Sequence, residues 1–152
     1  MKIAIGSDHA GFQLKEELIK VLSDLEHQCI DFGPTSTDSV DYPDFAQKVA
    51  AAVSAGDVER GILICGTGIG MAIVANKYPK IRAAVCNDLY TAKMSRLHND
   101  ANVLTLGGRV IGIDLAKEIL KVWLTTGFEA GRHQRRLEKI TMCEKRVLDN
   151  EP

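Results

Sequence analysis

Aromatic side chains are scarce in this chain. Phe, Tyr and Trp make up 5% of its 152 residues, too few for a platform on which successive nucleic-acid bases stack. A dominant charge is missing as well: 19 Lys and Arg stand against 20 Asp and Glu, a formal net charge of −1. That argues against a broad nucleic-acid-binding face, although a local basic cluster stays open. Cysteine is sparse and scattered. Cys29, Cys65, Cys86 and Cys143 include no Cys-x-x-Cys pair, so neither a zinc framework nor a disulfide scaffold is expected. No apolar run is long enough to cross a bilayer, and Met1-Lys2-Ile3-Ala4-Ile5-Gly6 leads into a first strand without a signal-peptide pattern. The expectation is a cytoplasmic protein with neither membrane nor nucleic acid among its partners. Repeats, linkers and low-complexity tracts are absent too.

What is present is an ordinary globular composition, 45% hydrophobic and 26% charged. The length fits one domain, residues 1–152, with a core of its own. Apolar runs alternate with helix-like stretches. Strands are predicted at Lys2–Ser7, Gln28–Phe32, Gly61–Cys65, Arg82–Cys86 and Asn102–Leu106. Helices are predicted at Phe12–Glu26, Pro43–Ala55, Ile69–Lys77, Tyr90–Leu97, Ile113–Thr125 and Arg132–Leu148, the last polar and charged. In the first of these, Leu14, Leu18, Val21, Leu22 and Leu25 share one face. Such alternation builds a parallel sheet covered on both faces, and right-handed crossovers leave strand order as the main freedom. The expected fold is α/β: a three-layer, doubly wound, mostly parallel five-stranded sheet, Rossmann-like, with an extra C-terminal helix.

The stretch with the most chemistry in it is Cys65-Gly66-Thr67-Gly68-Ile69-Gly70, directly behind the apolar run Gly61-Ile62-Leu63-Ile64. A buried strand ends on a thiol and turns through alternating glycines into a helix. Glycines let main-chain N–H groups crowd around an anion, and the helix adds the positive end of its dipole. A cysteine there can act as base or nucleophile, with charge on a substrate oxygen held nearby. The bland alternative is a small buried residue at a strand end, with glycines shaping the turn. The loop is not a Walker A sequence, since no Gly-Lys-Ser or Gly-Lys-Thr follows, and Met71 stands where Gly-x-Gly-x-x-Gly needs its last glycine. Asp88, about twenty residues on, is where a dinucleotide fold carries its ribose-binding acid. A non-catalytic module binding a nucleotide or sugar phosphate is therefore the competing expectation.

Ligands of doubly wound sheets sit outside the carboxyl ends of the strands. Polar groups return to that rim repeatedly: Asp8-His9-Ala10-Gly11, Asp41-Tyr42-Pro43, Cys65 with its glycines, Asn87-Asp88 and Gly107-Gly108-Arg109. His9 can bind phosphate or hydroxyl, or cap the first helix. Tyr42 can touch ligand or pack on its helix. Arg132, Arg135, Arg136 and Lys139 lie three or four apart, with Arg132 and Arg136 on one face, a spacing suited to gripping a phosphate or to a solvated basic face. His98-Asn99-Asp100 follows the fourth helix and should lie at the amino edge, a strand length of about 17–20 Å from Cys65. Either this segment folds back, or His98 and the arginines serve a neighbouring copy of the chain.

Together, Gly6-Ser7-Asp8-His9-Ala10-Gly11, Asp41-Tyr42-Pro43, Cys65-Gly66-Thr67-Gly68-Ile69-Gly70, Arg96-Leu97-His98-Asn99-Asp100-Ala101-Asn102 and Gly131-Arg132-His133-Gln134-Arg135-Arg136 resemble the ribose/galactose isomerase family. That family includes ribose-5-phosphate isomerase B, galactose-6-phosphate isomerase subunits and allose-6-phosphate isomerase. The resemblance spans essentially the full length. It implies a metal-free, cofactor-free aldose–ketose isomerase interconverting ribose 5-phosphate and ribulose 5-phosphate through an enediolate, in the pentose phosphate pathway. It further implies Cys65 as the base, Thr67 as its assistant at the substrate oxygens, and the N–H groups of Gly66, Gly68, Ile69 and Gly70 around the enediolate. His98 is implied as the acid that opens the furanose, with Asp8 at a hydroxyl, Asn99 on the sugar, and His9, Tyr42, Arg109, Arg132 and Arg136 on substrate and phosphate. Homodimers or tetramers with shared sites are implied too. A six-carbon sugar phosphate, allose 6-phosphate or galactose 6-phosphate, is the alternative substrate.

Overall fold

The computed structural model describes residues 1–149. Five strands, β1 (Lys2–Ser7), β2 (Gln28–Asp31), β3 (Arg60–Cys65), β4 (Ala83–Val85) and β5 (Val103–Gly107), form one sheet in the order β2-β1-β3-β5-β4. Every pairing is parallel. Six helices alternate with them: α1 (Phe12–Asp24), α2 (Tyr42–Ala55), α3 (Ile69–Ala75), α4 (Leu89–Asn99), α5 (Ile113–Thr125) and α6 (Arg132–Leu148). β3 and β5 read as nearly continuous apolar runs because they are central strands covered on both faces.

The two faces carry separate cores. On one, Ile3, Ile5, Ile62, Ile64, Leu104 and Leu106 meet Leu14, Leu18 and Leu22 of α1 and Ile119, Leu120 and Trp123 of α5. On the other, Ala4, Leu63, Cys65 and Val103 meet Val49, Ala50 and Val53 of α2 and Met71 and Ala75 of α3. Alternation along each strand sends successive side chains to opposite cores. The three layers follow from that, and α6 is added outside them, against α4.

Two departures from the sequence pattern have physical causes. α1 ends at Asp24, two residues early, because Glu26 takes the left-handed conformation (φ 57°) and turns the chain away; Leu25 is left 39% exposed. In its place Lys15 is fully buried, its ammonium paired with Asp31 of β2 and with Glu16 at 3.0 Å. At the far edge, β4 is shorter than Arg82–Cys86, since the Arg82 N–H donates to the Asn102 side chain (2.8 Å) rather than to a neighbouring strand.

Strand order reverses between β1 and β3: β1 is followed by β2 on one side, while β3 leads away on the other. Such a switch point opens a crevice at the carboxyl ends of the two strands. Asp8 follows β1 and Cys65 closes β3, so the crevice lies between them.

Candidate active site

β3 delivers Cys65 to this crevice, and its sulfur accepts the Gly68 N–H at 3.2 Å. The thiol is only 5% exposed, but Thr67 and Ile69 beyond it are open to solvent. Gly68 has φ +81°, and a side chain there would run into the main chain of Leu106 at 2.9 Å. Only glycine turns the chain here while letting the amide reach back to the sulfur. Thr67 Oγ1 accepts the Ile69 N–H at 3.3 Å, which fixes the hydroxyl at the start of α3. Gly70 carries the Tyr42 ring directly over its Cα; an added Cβ would sit 2.6 Å from that ring.

The neighbouring loops are tied to the thiol loop. Gly108 N–H donates to Cys65 O (2.8 Å) and Arg109 N–H to Gly66 O (3.0 Å), so the Arg109 side chain lies along Gly66. Asp8 is buried; its N–H donates to Ile64 O (3.0 Å) and its carboxylate accepts Gly11 N–H (3.0 Å). The N-cap of α1 is Gly11, with no side-chain cap, and His9 does not cap the helix either: its Nδ1 accepts the Val40 N–H at 3.2 Å. Asp8, His9, Tyr42, Cys65, Gly66, Thr67, Gly68, Ile69, Gly70 and Arg109 therefore share the carboxyl edge.

Asn87 also lies on this rim, and the structure shows its task. Its side chain accepts Gly107 N–H (2.9 Å) and donates to Thr67 O (3.5 Å), bridging β5 to the thiol loop. Strand order makes that bridge, because β5 stands between β3 and β4. Asp88 is the N-cap of α4, accepting Thr91 N–H at 2.7 Å and Thr91 Oγ1–H at 2.8 Å. Those bonds hold its carboxyl below the usual range. The residue that suggested a ribose-binding acid is occupied in helix capping.

His98, Asn99, Arg132 and Arg136 lie elsewhere. α4 returns to the amino edge, where Asn102 bonds to Arg82 and Gly61. Cys65 pairs with Gly107 at the other end of β5. Val103 to Gly107 spans four residues, about 13 Å of strand. The segment does not fold back toward the thiol. Instead α6 comes to meet it: the His98 and His133 rings stack with centroids 4.2 Å apart and planes 8° from parallel. Glu129 Oε2 lies 3.9 Å from His98 Nε2 and 3.6 Å from His133 Nε2. Ligand atoms of these three residues fall within 4.8 Å of one another, a spacing a metal could bridge. Arg132 Nε–H, however, donates to His133 Nε2 at 3.4 Å and sets a positive charge where a cation would have to sit. His133 lies inside the closing motif and Glu129 just before it; neither has a local sequence signal, since both matter only through the contact with α4.

Clefts of the single chain run along α3 and α6. One of about 390 Å³ lies between Arg82, Asp100 and Leu137, another of about 450 Å³ between Tyr78, Ile81 and Ile140, and neither reaches Cys65. The thiol loop is a floor with amides and a hydroxyl on it, and the groups suited to grip a phosphate stand at the opposite edge.

A doubly wound α/β chain with a thiol and a glycine loop at its switch point is the architecture of a small-molecule enzyme. Residues 3–140 match the model of the Ribose/Galactose Isomerase family. Ribose-5-phosphate isomerase B of Escherichia coli (strain K12) is 52% identical over 145 residues, 95% of this chain and 97% of that protein. The solved structure of Clostridium thermocellum ribose-5-phosphate isomerase B superimposes with a TM-score of 0.95 at 55% identity, covering 97% of this chain and 99% of the other. D-erythrulose-4-phosphate isomerase of Pectobacterium atrosepticum is 46% identical, over 95% of each chain. The chain belongs to the ribose/galactose isomerase family.

Proposed function

We propose that this chain interconverts D-ribose 5-phosphate and D-ribulose 5-phosphate in the cytoplasm, as a step of the pentose phosphate pathway. Residues 1–152 act as a single isomerase domain, and the working unit is a homodimer or a tetramer of dimers. The observation that carries this is the Cys65 sulfur at the switch point, receiving the Gly68 N–H in a chain 52% identical to an enzyme of that name.

The reaction runs in two stages. To open the furanose, His98 gives a proton to the ring oxygen as the C1–O4 bond breaks. Asp8 takes the proton leaving the C1 hydroxyl as the carbonyl forms. Cys65 then removes the C2 proton, and the electron pair passes through C1–C2 onto O1. Main-chain N–H groups of Gly66, Gly68, Ile69 and Gly70 hold the enediolate charge, the largest source of acceleration in such chemistry. Cys65 returns the proton to C1 while the C2 hydroxyl proton passes by way of Thr67 to O1, leaving the ketone at C2. Asn99, His9, Tyr42 and Arg109 contact the sugar, and Arg132 and Arg136 grip the phosphate, which fixes C1 and C2 against the sulfur. No step calls for a metal or cofactor.

His98 and the arginines reach Cys65 from a second copy of the chain. Their separation within one copy supports this, as do the exposed apolar side chains flanking the thiol loop: Ile69 (55%), Ile73 (58%), Tyr90 (71%) and Val110 (56%). The test is formation of ribulose 5-phosphate from ribose 5-phosphate by the purified protein. Cys65→Ala should lower kcat by about 10²–10⁴-fold with the circular dichroism spectrum intact, and EDTA should leave wild-type turnover as it was. Turnover retained by Cys65→Ala removes the thiol from the mechanism; tight nucleotide binding without turnover favours the binding-module alternative.

A further inference from the structure

His133 is buried, 4% exposed, and shares the covered side of α6 only with Leu137. Its ring does not fill the apolar core; it lies flat beneath His98, whose side chain remains 35% exposed. Everything around it serves to keep it there. Arg132 Nε–H donates to Nε2, which leaves the ring proton on Nδ1 and the ring neutral. The connection into α6 is anchored to α4 twice, by Glu129 N–H to Leu97 O (3.0 Å) and by Arg96 Nε–H to Thr126 O (3.3 Å). Ala130 and Gly131 then take positive φ (60° and 55°) to start α6 against the end of α4. A non-glycine residue is strained in that conformation, so the turn is held by its surroundings.

We infer that His133 is a positioning residue for His98: its buried ring is the surface that sets the plane of the exposed imidazole, and Glu129 holds the outer edge of the pair. This rests on the proposed role of His98 in ring opening. A histidine at a helix end has two free side-chain torsions, and a general acid must meet its oxygen within hydrogen-bond reach. Stacking removes the freedom of the ring to turn over. The Glu129 carboxylate stands 3.9 Å from His98 Nε2 and 3.6 Å from His133 Nε2, at the outer edge of the stack. Burial first, then the nearby His98 and Arg132, pushes the His133 imidazole down.

The test separates ring opening from isomerisation. Ribose 5-phosphate is mostly a closed furanose. Erythrose 4-phosphate has its O4 esterified and cannot close a five-membered ring, so it needs no acid at a ring oxygen. The ratio of kcat on ribose 5-phosphate to kcat on erythrose 4-phosphate should fall at least about tenfold in His133→Ala, since small misplacements of a catalytic group cost up to about 10²-fold. His133→Phe, which keeps a flat ring under His98, should recover most of the loss. His98→Ala run alongside reports on the underlying reading: if its ratio does not fall, ring opening is not the task of His98. If its ratio falls while that of His133→Ala stays at the wild-type value, the positioning role is overturned. Should the wild type not turn over erythrose 4-phosphate, ribose 5-phosphate turnover decides: His133→Phe as slow as His133→Ala overturns the proposal, and recovery supports it.

Discussion

At the scale of single residues, the site depends on backbone geometry as much as on side-chain chemistry. Gly68 is the clearest case: its amide reaches the Cys65 sulfur only because the residue sits at φ +81° against the Leu106 main chain. Gly68→Ala should therefore cost about 1–3 kcal/mol in urea unfolding and lower kcat along with it. A variant as stable and active as the wild type would show that the loop tolerates another path. The glycine-loop sequence announced this turn, because alternating glycines after an apolar run have few other uses. The Tyr42 ring over Gly70 and the Asn87 bridge were not legible, since each joins segments that only the finished sheet brings together. The remaining thiols divide by environment. Burial, then the Asp31 charge, pushes Cys29 up to about 11 and burial raises Cys86, whereas Cys143 lies exposed on α6 and fills no space in the core.

At the scale of elements, the strands and helices were readable because period-2 and period-3.6 patterns are local. Their boundaries shifted by one or two residues where a single contact decides, as at Asp24 and Arg82. Lys15 was not readable as a core residue, since nothing in a charged side chain announces a buried partner on the next strand. Contacts between elements are also where pH enters. Glu17 of α1 is hydrogen-bonded to Lys117 of α5 at 2.8 Å and to Lys20 at 2.6 Å, and these, Lys117 first, hold its carboxyl down at about 2. A carboxylate whose folded value lies below its unfolded one stabilises above the unfolded value and loses that contribution as pH falls. The contribution is therefore present above pH 4.5 and lost between there and about 2. Thermal-unfolding midpoints of Glu17→Gln should fall less steeply across that window than those of the wild type. The difference should be small and should shrink in high salt, because the pair is at the surface. Parallel acid limbs for the two proteins would contradict this link between α1 and α5.

At the scale of the whole molecule, strand order divides the candidate site residues of one chain between the two edges of the sheet. Topology puts Asp8 and Cys65 at the carboxyl edge and sends α4 and α6 to the amino edge, so the thiol floor and the histidine–arginine grip face away from each other. The sequence motifs made this separation arguable, because helix α4 must return across the sheet before β5 begins. Strand order itself was not legible, since edge pairing between distant segments leaves no mark in either one. The central claim is that one chain's Cys65 works with another chain's His98. It is tested most directly by mixing two variants, Cys65→Ser and His98→Asn, after denaturing and refolding them together. Random pairing makes half of the dimers mixed, each with one intact site of two, so ribose 5-phosphate turnover should rise from near zero to about a quarter of the wild-type value. Turnover that stays at the level of the separate variants, although mixed dimers are present, would place both residues in a site made by one chain and contradict the account.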